Sequence, residues 1–161
     1  MTAVRCRIAS NDQDFRQCLA IRREVFIEEQ GVPEREELDD LDAVALHVLV
    51  EIEQLAVATA RLISEPDATA RIGRMAVRES YRHHGIGTEL LSFLTDIAHQ
   101  QGVHTLRLTG QLHAIPFYER AGFEAEGDVF FEAGIPHRWM THILDPGSEV
   151  TATQRPAAES I

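Results

Sequence analysis

Between Ala43 and Ile63 the chain carries two β-branched, near-alternating runs, ALHVLVEIE and LAVATARLI, with Glu53 and Gln54 between them. That rhythm predicts a β-hairpin. A turn at Glu65-Pro66-Asp67 leads into a third strand over roughly 69–77. The period then changes. Ile86, Leu90, Leu91, Leu94, Ile97 and Ala98 recur at helical spacing, so a helix is expected from about 86 until Gly102 stops it. Ahead of the hairpin, residues 4–9 read as a short strand, and Ser10, Asn11 and Asp12 can cap a helix that runs to about Gln30. Phe15, Leu19, Arg22, Val25 and Phe26 give that helix its face, and Gly31 before Pro33 ends it. PEREELDDLD (33–42) is very acidic and poorly periodic, hence a loop or short helix. Downstream come a strand at 103–109, a short helix at 114–121 capped by Gly122, and strands at about 123–132 and 137–144.

The order β-α-β-β-β-α-β-α-β-β implies an α/β architecture with α+β character, a mixed and largely antiparallel central sheet flanked by helices. A crossover through the 86–101 helix makes one pair of strands parallel. Residues 1–144 read as a single domain. The tail from Asp145 to Ile161 has almost no large apolar residues and is expected to be disordered.

Charge narrows the function. Twenty-six acidic residues against 15 basic ones leave a formal net charge of −11, the wrong sign for a nucleic-acid partner. It suits a solvated surface or a cationic substrate drawn in by the field. Cys6 and Cys18 stand alone, with no metal-ligand spacing, and are expected as reduced, buried thiols. MTAVRCRIAS lacks the apolar core of a secretion signal, and no apolar run is long enough to span a membrane. These features imply a cytoplasmic protein with no membrane partner.

The chemistry gathers at RHHGIGT (82–88), a turn between the third strand and the amphipathic helix. The first N–H groups of a helix lack intrahelical partners, and the helix dipole adds positive potential there. Gly85 and Gly87 clear the backbone for an anion, Arg82 can add a charge-assisted bond, and Thr88 adds a hydroxyl. A Walker loop would need a lysine, and a dinucleotide fingerprint would need glycine where Leu90 stands. ATP, GTP and NAD are thus disfavoured. The turn alone fits either an anion cradle or a tight strand–helix connection.

Arg82, Gly85 and Gly87 after RIGRMAV (71–77) resemble the [QR]-x-x-G-x-[GA] acyl-CoA signature of the GCN5-related N-acetyltransferase (GNAT) superfamily. AIPFYERAGF (114–123) resembles that family's second signature. VFIEEQGVP (25–33), DDLDAVALH (39–47) and EAGIPHRWM (132–140) resemble its ElaA-like branch. The resemblance implies acetyl-CoA as acyl donor and a small-molecule or peptide amine as acceptor. It implies a CoA pyrophosphate held on the backbone of Arg82, His83, His84, Gly85, Ile86, Gly87 and Thr88. Met75, Ala76 and Val77 would pair with the pantetheine arm where the third strand splays from the parallel strand at 103–109. Tyr118 would give the departing thiolate its proton, Phe117 would pack on the arm, and the small Ala114 would sit close to it.

TARIGRMAV has no carboxylate to act as base. The base or substrate candidates are Glu28, Glu29, His47, Glu132 and His137, beside a water relay or capture of free amine. No histidine pattern suggests a metal, the His83-His84 pair included. Two other readings stay open: a non-catalytic acyl-CoA-binding or sensing module, and acyl-homoserine lactone synthesis. The sequence does not fix the acceptor, the acyl length or the oligomeric state, a homodimer included.

Overall fold

The computed structural model describes residues 3–144, so the expectation for the tail falls outside the described residues. Seven strands form a sheet in the order β1-β2-β3-β4-β5-β7-β6. The β1–β2, β2–β3, β5–β7 and β6–β7 pairs are antiparallel, and β4–β5 is parallel. This is the mixed, largely antiparallel sheet expected from the order of elements. The chain divides into two compact units, one built from residues up to Ile63 together with Ile72–Leu90, the other from Ser64–Arg71 and the chain from Leu91 on.

The first unit holds β1 (Val4–Ile8), α1 (Asp12–Arg22), α2 (Glu34–Glu37), β2 (Leu46–Ile52), all but the end of β3 (Leu55–Glu65), and most of β4 (Thr69–Val77). It also holds the first turn of α3 (Ile86–Gln100). Asn11 caps α1, its side chain accepting from the Asp14 N–H at 2.8 Å, with Asp12 and Asp14 favourably placed against the dipole. Cys18, Ile21 and Val25 pack against Leu49, Ala56 and Ala76. The helical run continues past Arg22, but Arg23–Glu29 winds as a π-helix, a rare conformation that apolar spacing does not announce. The hairpin turn is made by Glu53 at φ +53° and Gln54 at φ +69°, both left-handed, which matches strand twist without an Asn-Gly pair. Cys18 is fully buried as expected; Cys6, a free thiol like Cys18, is only half-buried.

The acidic run 33–42 is fastened by arginines. The Arg22 guanidinium, 1% exposed, donates to the Glu37 carboxylate, to the Glu37 carbonyl at 2.9 Å and to Asp42 at 2.9 Å. Arg61 donates to Asp39 at 2.7 Å and Asp42 at 2.8 Å. Arg74, at φ +51° inside β4, lies 3.2 Å from Glu37 and 3.1 Å from Asp39. Glu37, Asp39 and Asp42 are thereby neutralised within the chain.

The second unit holds the rest of α3, β5 (Thr105–Gln111), α4 (Ile115–Arg120), β6 (Glu124–Glu132) and β7 (Ile135–Ile143). Leu91, Leu94, Ile97 and Ala98 of the expected stripe are buried here, and Ile86 and Leu90 are buried in the first unit. The parallel pairs run from Thr69–Arg71 to Thr105–Arg107; β4 continues to Val77 and β5 to Gln111 beyond them. Leu106, Leu108 and Gly110 point to one, buried face of β5, while Arg107, Thr109 and Gln111 alternate to the other. β7 pairs with β5 from Thr105↔Ile143 to Gln111↔His137.

Candidate active site

In the first unit, β4 ends at Met75, Ala76 and Val77. Ala76 is buried in the core cluster, and the other two are half-buried. A 3-10 turn, Glu79–Tyr81, leads into the loop. His83 at φ +66° and Gly85 at φ +83° are both left-handed, with His84 between them. This curls successive N–H groups inward, the geometry of an anion-binding nest. The ladder of α3 starts where the Glu89 N–H donates to the Gly85 carbonyl at 3.1 Å, so the N–H groups of Ile86, Gly87 and Thr88 precede it. A Cβ placed on Gly85 would meet no atom within 4 Å, so the space above the loop is open. His83, His84 and Thr88 are exposed, Gly87 is half-buried, and the Ile86 side chain is buried beneath the turn. A diphosphate fits this surface: it needs backbone donors, room and the positive end of a long helix, and all three are present.

Arg82 does not present its guanidinium to the loop's open side. Its Nε donates to the Val77 carbonyl at 2.8 Å, and its two terminal nitrogens donate to the Glu29 carboxylate at 2.9 and 2.7 Å. The Glu29 carboxylate holds the Arg82 guanidinium even more firmly protonated than usual. Glu29 therefore serves as the partner of Arg82. Glu28 beside it is exposed.

In the second unit, Ala114 ends a 3-10 turn and precedes α4, which carries Phe117 and Tyr118. The helix closes in a Schellman arrangement. The Phe123 N–H donates to the Tyr118 carbonyl at 3.1 Å and the Gly122 N–H to the Glu119 carbonyl at 3.0 Å, with Gly122 at φ +102°. Phe123, 2% exposed, meets the Tyr118 ring edge-on at 6.1 Å, and Phe117 flanks it at 5.1 Å. Tyr118 approaches β5 where Gly110 has no side chain: a Cβ there would stand 3.3 Å from the Tyr118 ring and 3.1 Å from Met140 Sδ. Burial pushes the Tyr118 phenol up to about 12. It therefore keeps its proton throughout the neutral range and is a donor.

On the other face of β5, Thr109 Oγ1 donates to Glu132 at 3.0 Å, and the same carboxylate stands 3.6 Å from His137 Nε2. His137 Nδ1 lies 2.7 Å from the Ile135 carbonyl, and Phe130 stacks on the ring. Of the sequence candidates, Glu132 and His137 are brought together. His47 stands apart in the first unit, its Nε2 2.9 Å from the Asp42 carbonyl and its ring against Phe15. Thr109 and Gly110 were not singled out from sequence; a glycine inside a strand pattern was the available signal for Gly110. Among the described residues no group of three or more His, Cys, Asp or Glu side chains could hold a metal ion. No helix there is long and apolar enough to cross a membrane.

The first unit thus carries a strand–nest–helix loop suited to an anion, and the second a phenol held against a strand at a glycine. The model of the acetyltransferase (GNAT) family matches residues 15–123, and the chain belongs to that family. Its fold matches Escherichia coli ElaA with a TM-score of 0.77 at 27% identity, over 88% of this chain and 99% of that one. This agrees with the ElaA-like resemblance. An acyl-CoA N-acyltransferase from Pseudomonas aeruginosa matches equally well, with a TM-score of 0.77 and 27% identity over 87% of this chain and 99% of its own. By sequence, the uncharacterized protein YyaT of Bacillus subtilis is 36% identical over 82% of this chain and 90% of its own length.

Proposed function

We propose that the protein is an acetyl-CoA-dependent N-acetyltransferase that passes the acetyl group directly to a primary amine. The observation that carries the reading is the nest at His83 and Gly85 on the N-terminus of a fifteen-residue helix. The backbone of Arg82 through Thr88 binds the pyrophosphate, Met75, Ala76 and Val77 offer backbone to the pantetheine arm, and Ala114 and Phe117 flank it. Acetyl-CoA supplies the thioester that the amine attacks and the thiol that leaves. Tyr118 donates a hydrogen bond to the sulfur as charge builds there. A phenol near 12 does not give its proton outright to an ordinary thiol anion, so it acts as a donor during bond cleavage. Arg82 positions the loop through Val77 and Glu29. The acceptor is a small cationic amine or a peptide amine, and the work is done in the cytoplasm, where Cys6 and Cys18 stay reduced.

Thiol release from acetyl-CoA, followed with a panel of diamines, amino-acid amides and lysine peptides, tests this. Tyr118→Phe is expected to lower kcat about 100-fold with unchanged acetyl-CoA affinity. The lack of a carboxylate on β4 favours a second reading, a non-catalytic acyl-CoA-binding module. That reading predicts binding with turnover indifferent to Tyr118→Phe.

A further inference from the structure

The proposed transfer needs a group to take a proton from the amine, which at neutral pH arrives as an ammonium ion. We infer that His137, oriented by the Ile135 carbonyl and backed by Glu132, is that acceptor; the inference rests on the transferase reading. A carbonyl only accepts, so the 2.7 Å contact of His137 Nδ1 with the Ile135 carbonyl places the ring proton on Nδ1. The lone pair of the neutral ring then sits on Nε2, the nitrogen facing Glu132 at 3.6 Å. Once Nε2 takes a proton, the imidazolium donates toward that carboxylate. Thr109 Oγ1, donating at 3.0 Å, fixes the carboxylate in place. His137 is 7% exposed whereas the Glu132 side chain is 49% exposed, so the pair opens to solvent on the carboxylate side.

The position suits the chemistry as well as the tautomer does. Gln111 pairs with His137 across the β5–β7 ladder, and Thr109 holds Glu132. Tyr118 meets the residue between them, Gly110, from the opposite face. The proton acceptor and the proton donor thus stand on opposite faces of β5 at Thr109–Gln111, an arrangement that serves a transfer in which acyl donor and amine approach from the two sides of the strand. Charged groups on the acceptor face include Arg107 of β5, whose guanidinium lies 4.0 Å over Trp139 and 3.7 Å from Glu65, Arg71, which pairs with Arg107 across the strands and with Glu65, and Glu124 and Glu126 of β6. As the N–C bond forms and the C–S bond breaks, two protons leave the ammonium nitrogen. One is taken by Nε2 and passed to solvent. The other ends on the departing sulfur, while the Tyr118 phenol keeps its own proton and donates a hydrogen bond there.

The test is kcat/KM against pH for wild type, His137→Gln and Glu132→Gln, with the same amine panel and acetyl-CoA. His137→Gln is expected to lose on the order of 100-fold at pH 7. The deficit should narrow as pH rises toward the pKa of the amine, about 10.4 for a lysine side chain, where more of it arrives neutral and needs no base; a purely structural defect would persist there. Glu132→Gln keeps an acceptor for Thr109 and lies at the surface. It is expected to lose about tenfold with the same narrowing, which keeps the test open should His137→Gln misfold. Long-range 15N–1H spectra of the wild-type ring should show the Nδ1–H tautomer. Transfer by wild type with a parallel, pH-independent deficit or none in both variants, or an Nε2–H tautomer, overturns the inference alone. Thiol release with no amine of the panel overturns the transferase reading and this inference with it.

Discussion

Arg22 is the cation on which the acidic segment after α1 depends, and replacing it with methionine isolates that dependence. Methionine keeps a long apolar stem and removes the guanidinium. The change deletes the bond to the Glu37 carboxylate, the bond to the Glu37 carbonyl and both bonds to Asp42, at 2.9 and 3.1 Å. Glu37, 3% exposed, keeps only the 3.2 Å contact with Arg74, while Asp42 keeps Arg61. Breaking a buried pair by removing one partner costs about 3–5 kcal/mol, because the other charge stays buried. Against a total stability on the order of 5–15 kcal/mol that is a large share. At roughly 2–4 °C per kcal/mol for a domain of this size, the melting temperature should fall by roughly 6–20 °C. The sign of the pH dependence follows from Glu37, whose carboxyl burial pushes up from its ordinary value even beside Arg22. A raised folded-state value means that stability is lost as pH rises through it. Without Arg22 that effect strengthens, so the deficit should be larger at pH 8 than at pH 5, and adding Glu37→Gln should recover part of it. Urea unfolding at both pH values measures this. A loss below about 1 kcal/mol, equal at both, would refute the closed, buried network.

Gly110→Ala would place a methyl 3.1 Å from Met140 Sδ and 3.3 Å from the Tyr118 ring. Overpacking of this kind costs about 1–3 kcal/mol. In the transferase reading it also shifts the phenol, so steady-state kinetics should show kcat reduced about tenfold with KM little changed; an unaltered kcat would dissociate Tyr118 from the chemistry. Acid should unfold the protein late. Arg61 holds Asp39 down to about 2, and Arg7 holds Asp14 and Glu51 below the ordinary carboxylate range. Depressed values give stability that is present above the unfolded-state value and lost as pH falls through the folded one. The urea midpoint should therefore hold from pH 7 to about 5 and drop between about 4 and 2; a collapse complete above pH 5 would contradict these pairs. Tyr118, held near 12, should show no ionisation in a spectrophotometric titration below about pH 11; an earlier phenolate would contradict its burial.

Elements with strong periodicity were legible in the sequence. All six apolar residues assigned to the long helix are buried, and the Glu53-Gln54 turn falls where the alternation breaks. Arg22 was placed on the buried face of the first helix, but its spacing could not show that it faces Glu37 and Asp42. Those partners lie 15 and 20 residues away, and only folding brings them together. Acidic residues that read as a solvated run are, for the same reason, partly interior. The left-handed backbone at Arg74 and His83 and the π-helix after Arg22 leave no compositional trace, because none of those residues is glycine-like. Glu132 and His137 were visible one at a time. Thr109 joins them through strand pairing across 23 residues, a relation that no local pattern carries.

The central claim is that RHHGIGT holds the diphosphate of an acyl-CoA. Calorimetric titration of the full chain with acetyl-CoA, compared with acetylated pantetheine lacking the phosphates, tests it most directly. The account predicts saturable binding of acetyl-CoA that largely disappears for the phosphate-free ligand. Equal affinity for both, or no binding of acetyl-CoA, would leave the loop a mere connection between β4 and α3 and would contradict the account.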